Sequence, residues 1–283
     1  MVEAEDIIGG RYQIVKLIGK GGFGETYLAE DQHLPDNPKC VVKKLIFRYC
    51  DKARELFERE AKVLYRLGEH PQIPFLFAYF QEKQYFYLVQ EFIDGLELNK
   101  IIEEGKNFSE FQVISLLREI LEILVFVHQN QIIHRDINPK NLIRRHTLDP
   151  QLLEEVGDVK GDLCLIDFGA VKEVCQVDAQ GQTQLTVAVG TPGYIPDEQA
   201  NGKPRLSSDI YALGIMGIQM LTGVHPINFQ EDPDTRKIIW RNQVKIRPEL
   251  ANILDKMVHN DWRKRYPSAI QALEDLEILA TSG

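Results

Sequence analysis

His134-Arg135-Asp136-Ile137-Asn138-Pro139-Lys140-Asn141, followed after 25 intervening residues by Asp167-Phe168-Gly169, decides how the rest of this chain reads. Asp136, Asn141 and Asp167 supply two carboxylates and an amide where a metal-bound triphosphate and a hydroxyl nucleophile could meet. The remaining sequence has to form a fold that can carry them.

Upstream of this motif, the apolar pattern is strand-like over 12–18, 26–29, 41–47, 75–80 and 85–92. One helical pattern interrupts it at 51–67. There Ala53, Leu56, Phe57, Ala61, Leu64 and Leu67 recur at helical spacing, and Glu60, four residues from Leu56 and from Leu64, shares their inward face. Beyond Gly95 the balance shifts to helices. Ser109 and Gln112 stand at capping-box spacing ahead of a long apolar face that runs to about Gln129, and further helical patterns cover 208–221, 249–258 and 268–279. A strand-rich half joined to a helix-rich half without a long linker predicts an α+β fold of two lobes meeting at a ligand cleft near 91–95.

Composition narrows the class. With 283 residues and 44% apolar content the chain can bury a substantial core. The formal net charge of -9 argues against a nucleic-acid partner and confines any anion site to a local basic pocket. Four cysteines, Cys40, Cys50, Cys164 and Cys175, form no C-x-x-C pair and no metal-like spacing, which predicts reduced thiols in a cytoplasmic protein. The first residues lack a basic and an apolar leader region, and no run reaches about 18 uninterrupted apolar residues, so neither secretion nor a membrane span is expected.

Gly19-Lys20-Gly21-Gly22-Phe23-Gly24 fits G-x-G-x-x-G between two predicted strands, where a hairpin of bare backbone can approach phosphates. A dinucleotide-binding turn would need a helix after it instead. Val41-Val42-Lys43 puts a lysine on the third strand, and Glu60 is its natural anionic partner. Strand alternation turns Lys44 to the opposite face.

In this order the motifs resemble the catalytic domain of the eukaryotic-like, bacterial-type serine/threonine protein kinases. The resemblance spans nearly the whole chain. Gly19, Lys43, Glu60, Asp136, Asn141, Asp167 and Glu198 match the glycine loop, strand lysine, helix glutamate, H-R-D with its downstream Asn, D-F-G and the closing Glu. Gly190-Thr191-Pro192-Gly193-Tyr194 looks similar to the bacterial members. The family implies a bilobal kinase domain over 12–279, with a small β-rich N-lobe at 12–93 and a larger helical C-lobe at 94–279. It also implies ATP and Mg2+ as cofactors and protein substrates as partners, and leaves the oligomeric state open.

What the resemblance implies extends to single residues. Asp136 would accept or orient the substrate hydroxyl proton, Asn141 and Asp167 would hold magnesium, and Lys43 with Glu60 would hold the phosphates under the glycine hairpin. Adenine would lie between Ile18, Thr26 and Val41 on one side and Ile143 on the other, bonded by the backbone of Glu91 and Ile93 after Gln90, with Glu97 at the ribose. Arg135 implies control by a phosphate on the activation segment, with Thr183 and Thr186 as candidate acceptors and Thr191 as the threonine that contacts the catalytic loop. Glu198 and Arg265 would form a buried ion pair, and Asp209 would brace the catalytic-loop backbone.

The chain also departs from the family. Thr26 stands where Val is usual, Val41 where Ala is usual, and Pro196-Asp197-Glu198 where A-P-E is usual. The stretch 145–162 is longer than the family hairpin and acidic; it is expected as a solvated insertion or a partner-docking element. Asn138 replaces the Lys that steadies the transferring phosphate. Such a cation contact is worth roughly 2.7 to 4 kcal/mol, so two readings follow. One is a kinase slowed about a hundredfold or more, the other a nucleotide-binding pseudokinase that serves as a regulatory or interaction module.

Overall fold

The computed structural model describes residues 4–21, 24–46, 51–103, 107–146, 161–168, 176–177, 183–184 and 190–281. The chain divides into two compact units, Met1–Asp94 with Glu173–Thr186, and Gly95–Lys172 with Val187–Gly283. The first is strand-rich and the second helical.

In the first unit β1 (Ile7–Ile8), β2 (Tyr12–Gly21), β3 (Gly24–Asp31), β4 (Lys39–Ile46), β5 (Leu76–Glu82) and β6 (Tyr85–Glu91) form one antiparallel sheet in the order β1-β2-β3-β4-β6-β5. Alternation gives the sheet two different faces. One carries Tyr12, Ile14, Tyr27, Ala29, Cys40, Val42, Tyr87 and Val89, a core on which Phe80 stacks against Tyr12 and Tyr87. The other receives the helix α1 (Asp51–Leu67), whose Phe57, Leu64 and Leu67 are almost fully buried. Phe57 meets the rings of Tyr79 and Phe86. Burying each of these three side chains stabilises the docked helix by about 2 kcal/mol.

The strands at 12–18 and 26–29 are longer than their apolar pattern because the glycine hairpin continues the ladder to Gly21 opposite Gly24. Only glycine fits at 24. A Cβ there would lie 2.3 Å from the Lys44 carbonyl oxygen on the neighbouring strand. β5 starts at Leu76 rather than Phe75 and β6 ends at Glu91 rather than Phe92. Phe47 lies outside the described residues.

The second unit opens with β7 (Gly95–Glu97), α2 (Leu98–Glu103) and α3 (Glu110–Gln129). The Ser109 hydroxyl accepts from the Gln112 amide and the Gln112 side chain accepts from Ser109 N–H, a capping box worth about 1 kcal/mol. β8 (Leu142–Arg145) and β9 (Leu163–Leu165) pair antiparallel and join β7 in a small sheet. This sheet was not visible as periodicity, since its strands are three or four residues long. Two further strands, β10 (Gln176–Val177) and β11 (Thr183–Gln184), pair with each other in the first unit.

α4 (Asp197–Ala200), α5 (Leu206–Thr222), α6 (Pro248–Met257) and α7 (Ala269–Thr281) complete the second unit. α5 is apolar nearly all round and buried on every side, as such a helix must be. Gly214 lets α6 come close: a Cβ there would lie 2.7 Å from Met257 Cβ. Among the described residues no helix is long and apolar enough to cross a membrane. Cys40 and Cys164 are buried and belong to no disulfide among the described residues, and burial pushes the Cys40 thiol up to about 12. Cys50 and Cys175 lie outside the described residues.

Candidate active site

The loop 134–141 is held by α5. Asp209, buried near the start of that helix, accepts from the backbone N–H of His134 at 2.9 Å and of Arg135 at 2.8 Å, and from His128 Nε2 at 3.1 Å. Arg135 needs this support. Its φ of 68° is left-handed, a conformation that strains a side-chain-bearing residue, and Gln199 Nε2 clamps its carbonyl at 2.6 Å. The His134 ring is fully buried between a backbone donor and a backbone acceptor. Its Nδ1 accepts from Asp136 N–H and its Nε2–H donates to the Ile166 carbonyl at 3.1 Å, so it sits as the neutral ring, 4.8 Å from the Phe168 ring. Burial pushes its pKa down, while Asp209, Asp136 and Asp167 pull the other way.

Both carboxylate oxygens of Asp136 are fixed. Thr191 Oγ1 donates to Oδ1 at 2.8 Å and Asn141 Nδ2 donates to Oδ2 at 2.7 Å and to the Asp136 carbonyl at 2.8 Å. Because the Asn141 amide donates twice toward Asp136, its Oδ1 is left as an acceptor for another ligand. The Ile166 N–H bonds the Asn141 carbonyl at 2.9 Å, which brings Asp167, at a left-handed φ of 62°, to the neighbourhood of Asn141.

Asn138 is buried and fully engaged. Its Oδ1 caps the turn Pro139–Asn141 by accepting from Lys140 N–H at 2.9 Å, and its Nδ2 donates to the Asp136 carbonyl at 3.0 Å and to Thr191 Oγ1 at 3.1 Å. The Asn-Pro pair is a sequence signal for the cap. The bond to Thr191, 53 residues away, has no local signal. Lys140 is exposed. Glu198 and Arg265 pair at 2.7 Å with both side chains nearly buried, and Ser208 Oγ donates to the same Glu198.

In the first unit Lys43 Nζ meets Glu60 Oε1 at 2.8 Å, with Glu60 2% exposed. Cross-strand register puts Gly19, Thr26, Val41 and Gln90 on the same face as Lys43, since Gly19 opposes Thr26, Thr26 opposes Lys43, and Val41 opposes Gln90. Gln90 is buried and its Oε1 has no hydrogen-bond partner among the described residues. Glu91 N–H is taken by the Phe75 carbonyl, Ile93 is buried, and Ile18 is exposed. In the second unit Glu97 pairs in register with Ile143.

Lys44 does lie on the opposite face from Lys43, but it is buried. With Lys20 and Glu25 it forms a row across β2, β3 and β4: Glu25 takes Lys44 at 3.7 Å, Lys20 at 3.6 Å and the Tyr27 hydroxyl at 2.6 Å, and Lys44 sits 4.0 Å over the Tyr85 ring. The Tyr27 hydrogen bond, ahead of the lysines, holds the Glu25 carboxyl below the usual range. Gly22, Phe23, Gly169, Thr186 and residues 147–160 of the expected insertion lie outside the described residues.

A glycine hairpin with a strand lysine and helix glutamate, followed by a braced Asp136 with Asn141 and Asp167, defines a phosphoryl-transfer fold. The chain belongs to the protein kinase domain family, which it matches over residues 12–276. It is 43% identical to serine/threonine-protein kinase C of Synechocystis sp. PCC 6803 over 98% of this chain and 51% of that protein. Against serine/threonine-protein kinase PknA of Nostoc sp. PCC 7120 the identity is 40%, over 97% of this chain and 48% of that one. The chain thus spans about half the length of the curated relatives it matches. Two crystal structures of the Mycobacterium tuberculosis PknI kinase domain superpose with a TM-score of 0.70 over 98–99% of this chain and 99–100% of theirs; at 20% identity they speak to the fold.

Proposed function

We propose that this kinase domain is catalytically active and moves the γ-phosphoryl group of ATP to serine or threonine hydroxyls of protein substrates. The state of Asp136 carries the reading: each of its oxygens is already aimed by a donor, Thr191 on one and Asn141 on the other. A general base held this way needs no rearrangement to take or orient a hydroxyl proton. Asn138, which replaces the usual lysine, strengthens that alignment through Thr191 and the Asp136 carbonyl. This favours an active enzyme over a nucleotide-binding module.

The residues present fit a nucleotide with a divalent metal, which the family uses. The unpartnered Gln90 Oε1, on the sheet face of Lys43, can take the amino hydrogen of an adenine. Asn141 Oδ1 and the Asp167 carboxylate are the hard oxygen donors that suit Mg2+, which keeps waters and relies on the phosphates for its remaining ligands. Bound there, the metal would neutralise charge on the phosphates. Lys43, fixed by Glu60, would meet the phosphates, with Gly19, Lys20, Gly21, Gly22, Phe23 and Gly24 covering them; Ile18, Thr26, Val41, Glu91, Ile93, Glu97 and Ile143 would hold the nucleoside. Arg135 would take a phosphate added at Thr183 or Thr186.

The test is transfer of labelled γ-phosphate from MgATP to a generic protein substrate, with Asp136→Asn as the reference. Transfer by the wild-type chain well above that variant is expected. Equal transfer would remove the reading.

A further inference from the structure

In a chain of net charge -9, the twelve residues 236–247, Arg-Lys-Ile-Ile-Trp-Arg-Asn-Gln-Val-Lys-Ile-Arg, hold five cations and no carboxylate. They supply one wall of a cavity of about 500 Å3 in the second unit. Its apolar lining comes from Ile238, Ile239 and Val258, and Ile239 is 39% exposed. Asp255 is the one carboxylate lining it among the described residues, and it is consumed by Trp240 Nε1 at 2.8 Å and Arg241 at 2.9 Å. Lys256 is also engaged, over the Tyr266 ring and 3.5 Å from Asp275.

Three donors on this lining are uncommitted. Lys237 and Lys264 are exposed and have no carboxylate within 4.0 Å among the described residues. His259 accepts from Asp261 N–H at Nδ1, which leaves its ring proton on Nε2. Burial first, then the charge of Lys264, pushes the His259 pKa down, with Lys237 and Arg265 adding to the effect and Asp261 opposing it. Around this ring the cations Lys264, Lys237 and Arg265 outnumber the one carboxylate, Asp261. The cavity is also tied to the catalytic loop. Arg265 donates to the carbonyls of His259 and Asn260 while pairing with Glu198, and Arg236 pairs with Asp197 at 3.1 Å. Both acidic partners belong to the segment that leads back to Thr191 and its bond to Asp136.

We infer that this cavity docks an acidic peptide segment of the protein substrate, with carboxylates at Lys237, Lys264 and His259 and alternate apolar side chains on Ile238, Ile239 and Val258. The inference rests on the kinase reading for the word substrate, and on charge and shape for the binding itself. Charge complementarity of this kind sets partner choice and on-rate and is screened by salt.

The probe is a fluorescein-labelled peptide of alternating glutamate and leucine, titrated by anisotropy without nucleotide. Reversing both lysines in Lys237→Glu/Lys264→Glu turns two exposed attractions into repulsions and should weaken binding about tenfold or more. Neither side chain forms an ion pair within 4.0 Å among the described residues, but Asp232 lies in the field of Lys237 and Asp261 in that of Lys264, so a thermal melt of the variant checks that it is folded before binding is compared. A second probe with glycine for leucine should bind clearly more weakly than the first. Unchanged affinity in the double variant, or equal binding of the two probes, overturns the dock. In turnover, the variant should raise KM for a substrate peptide carrying the acidic extension and leave kcat, and KM for the unextended peptide, as they were. Binding that behaves as expected in a chain that transfers no phosphate overturns the kinase reading and leaves the dock standing.

Discussion

Asn138 uses its amide group and carbonyl oxygen both within the loop and toward Thr191, so it acts as a knot where the family usually has a charge. The knot passes through Thr191. Asn138→Ala and Thr191→Val should each cost about 1 to 2 kcal/mol, and the double variant should lose about 1 kcal/mol less than their sum, because each breaks the bond the other makes. Urea unfolding measures this; strict additivity would show that the two side chains act separately. His134 sets a pH limit of a different kind. Burial lowers its folded pKa below the ordinary 6.5, so on acidification the unfolded chain takes the proton first. The stabilisation is complete above 6.5 and drains away as pH falls toward the depressed value. Melting temperature should fall more steeply for wild type than for His134→Gln between about pH 7 and pH 5. Parallel slopes would mean that another group carries the acid sensitivity.

The row of Lys20, Glu25 and Lys44 shows what strand periodicity can and cannot read. Alternation assigned Lys44 to the face away from Lys43, but whether that face is wet depends on β1 and on Phe80, Tyr85 and Tyr87, which pack there through tertiary contacts. Truncating Glu25 to Ala would leave a buried ammonium with little but the Tyr85 ring and should cost about 3 kcal/mol. Glu25→Gln combined with Lys44→Met should be far milder, since no buried charge remains, and chemical denaturation of both variants would expose a wrong assignment if the pair proved the worse. The same limit explains the rest of the fold. α1 and α3 were legible because several turns of periodicity and a capping box mark them, whereas β1, α2 and α4 span too few residues to show a period. Asp136, Asn141 and Asp167 were legible as motifs. The bonds that orient them come from residues 50 or more positions away, so periodicity cannot show them: Thr191 and Asp209 were expected only through the family resemblance, and Gln199 was not expected at all.

For the molecule as a unit of function, nucleotide should act as a ligand of the folded chain alone. MgATP at about a hundred times its Kd should add about 2.7 kcal/mol of stability. Excess chelator should remove most of it. Asp136→Asn should keep the gain and Asp167→Ala should lose its magnesium-dependent part; a thermal melt in which Asp167→Ala still responds to magnesium would exclude that side chain as a ligand. The sheet of the first unit carries one further consequence, for handling the protein. β1 is two residues long and pairs with Tyr12 and Gln13, so it covers the margin of amide and carbonyl groups at the start of β2. A version trimmed to Tyr12, where the family match begins, would uncover that margin as a template for another chain's strand. Ile7 and Ile8 thus cover that end of the sheet edge while lying outside the family match.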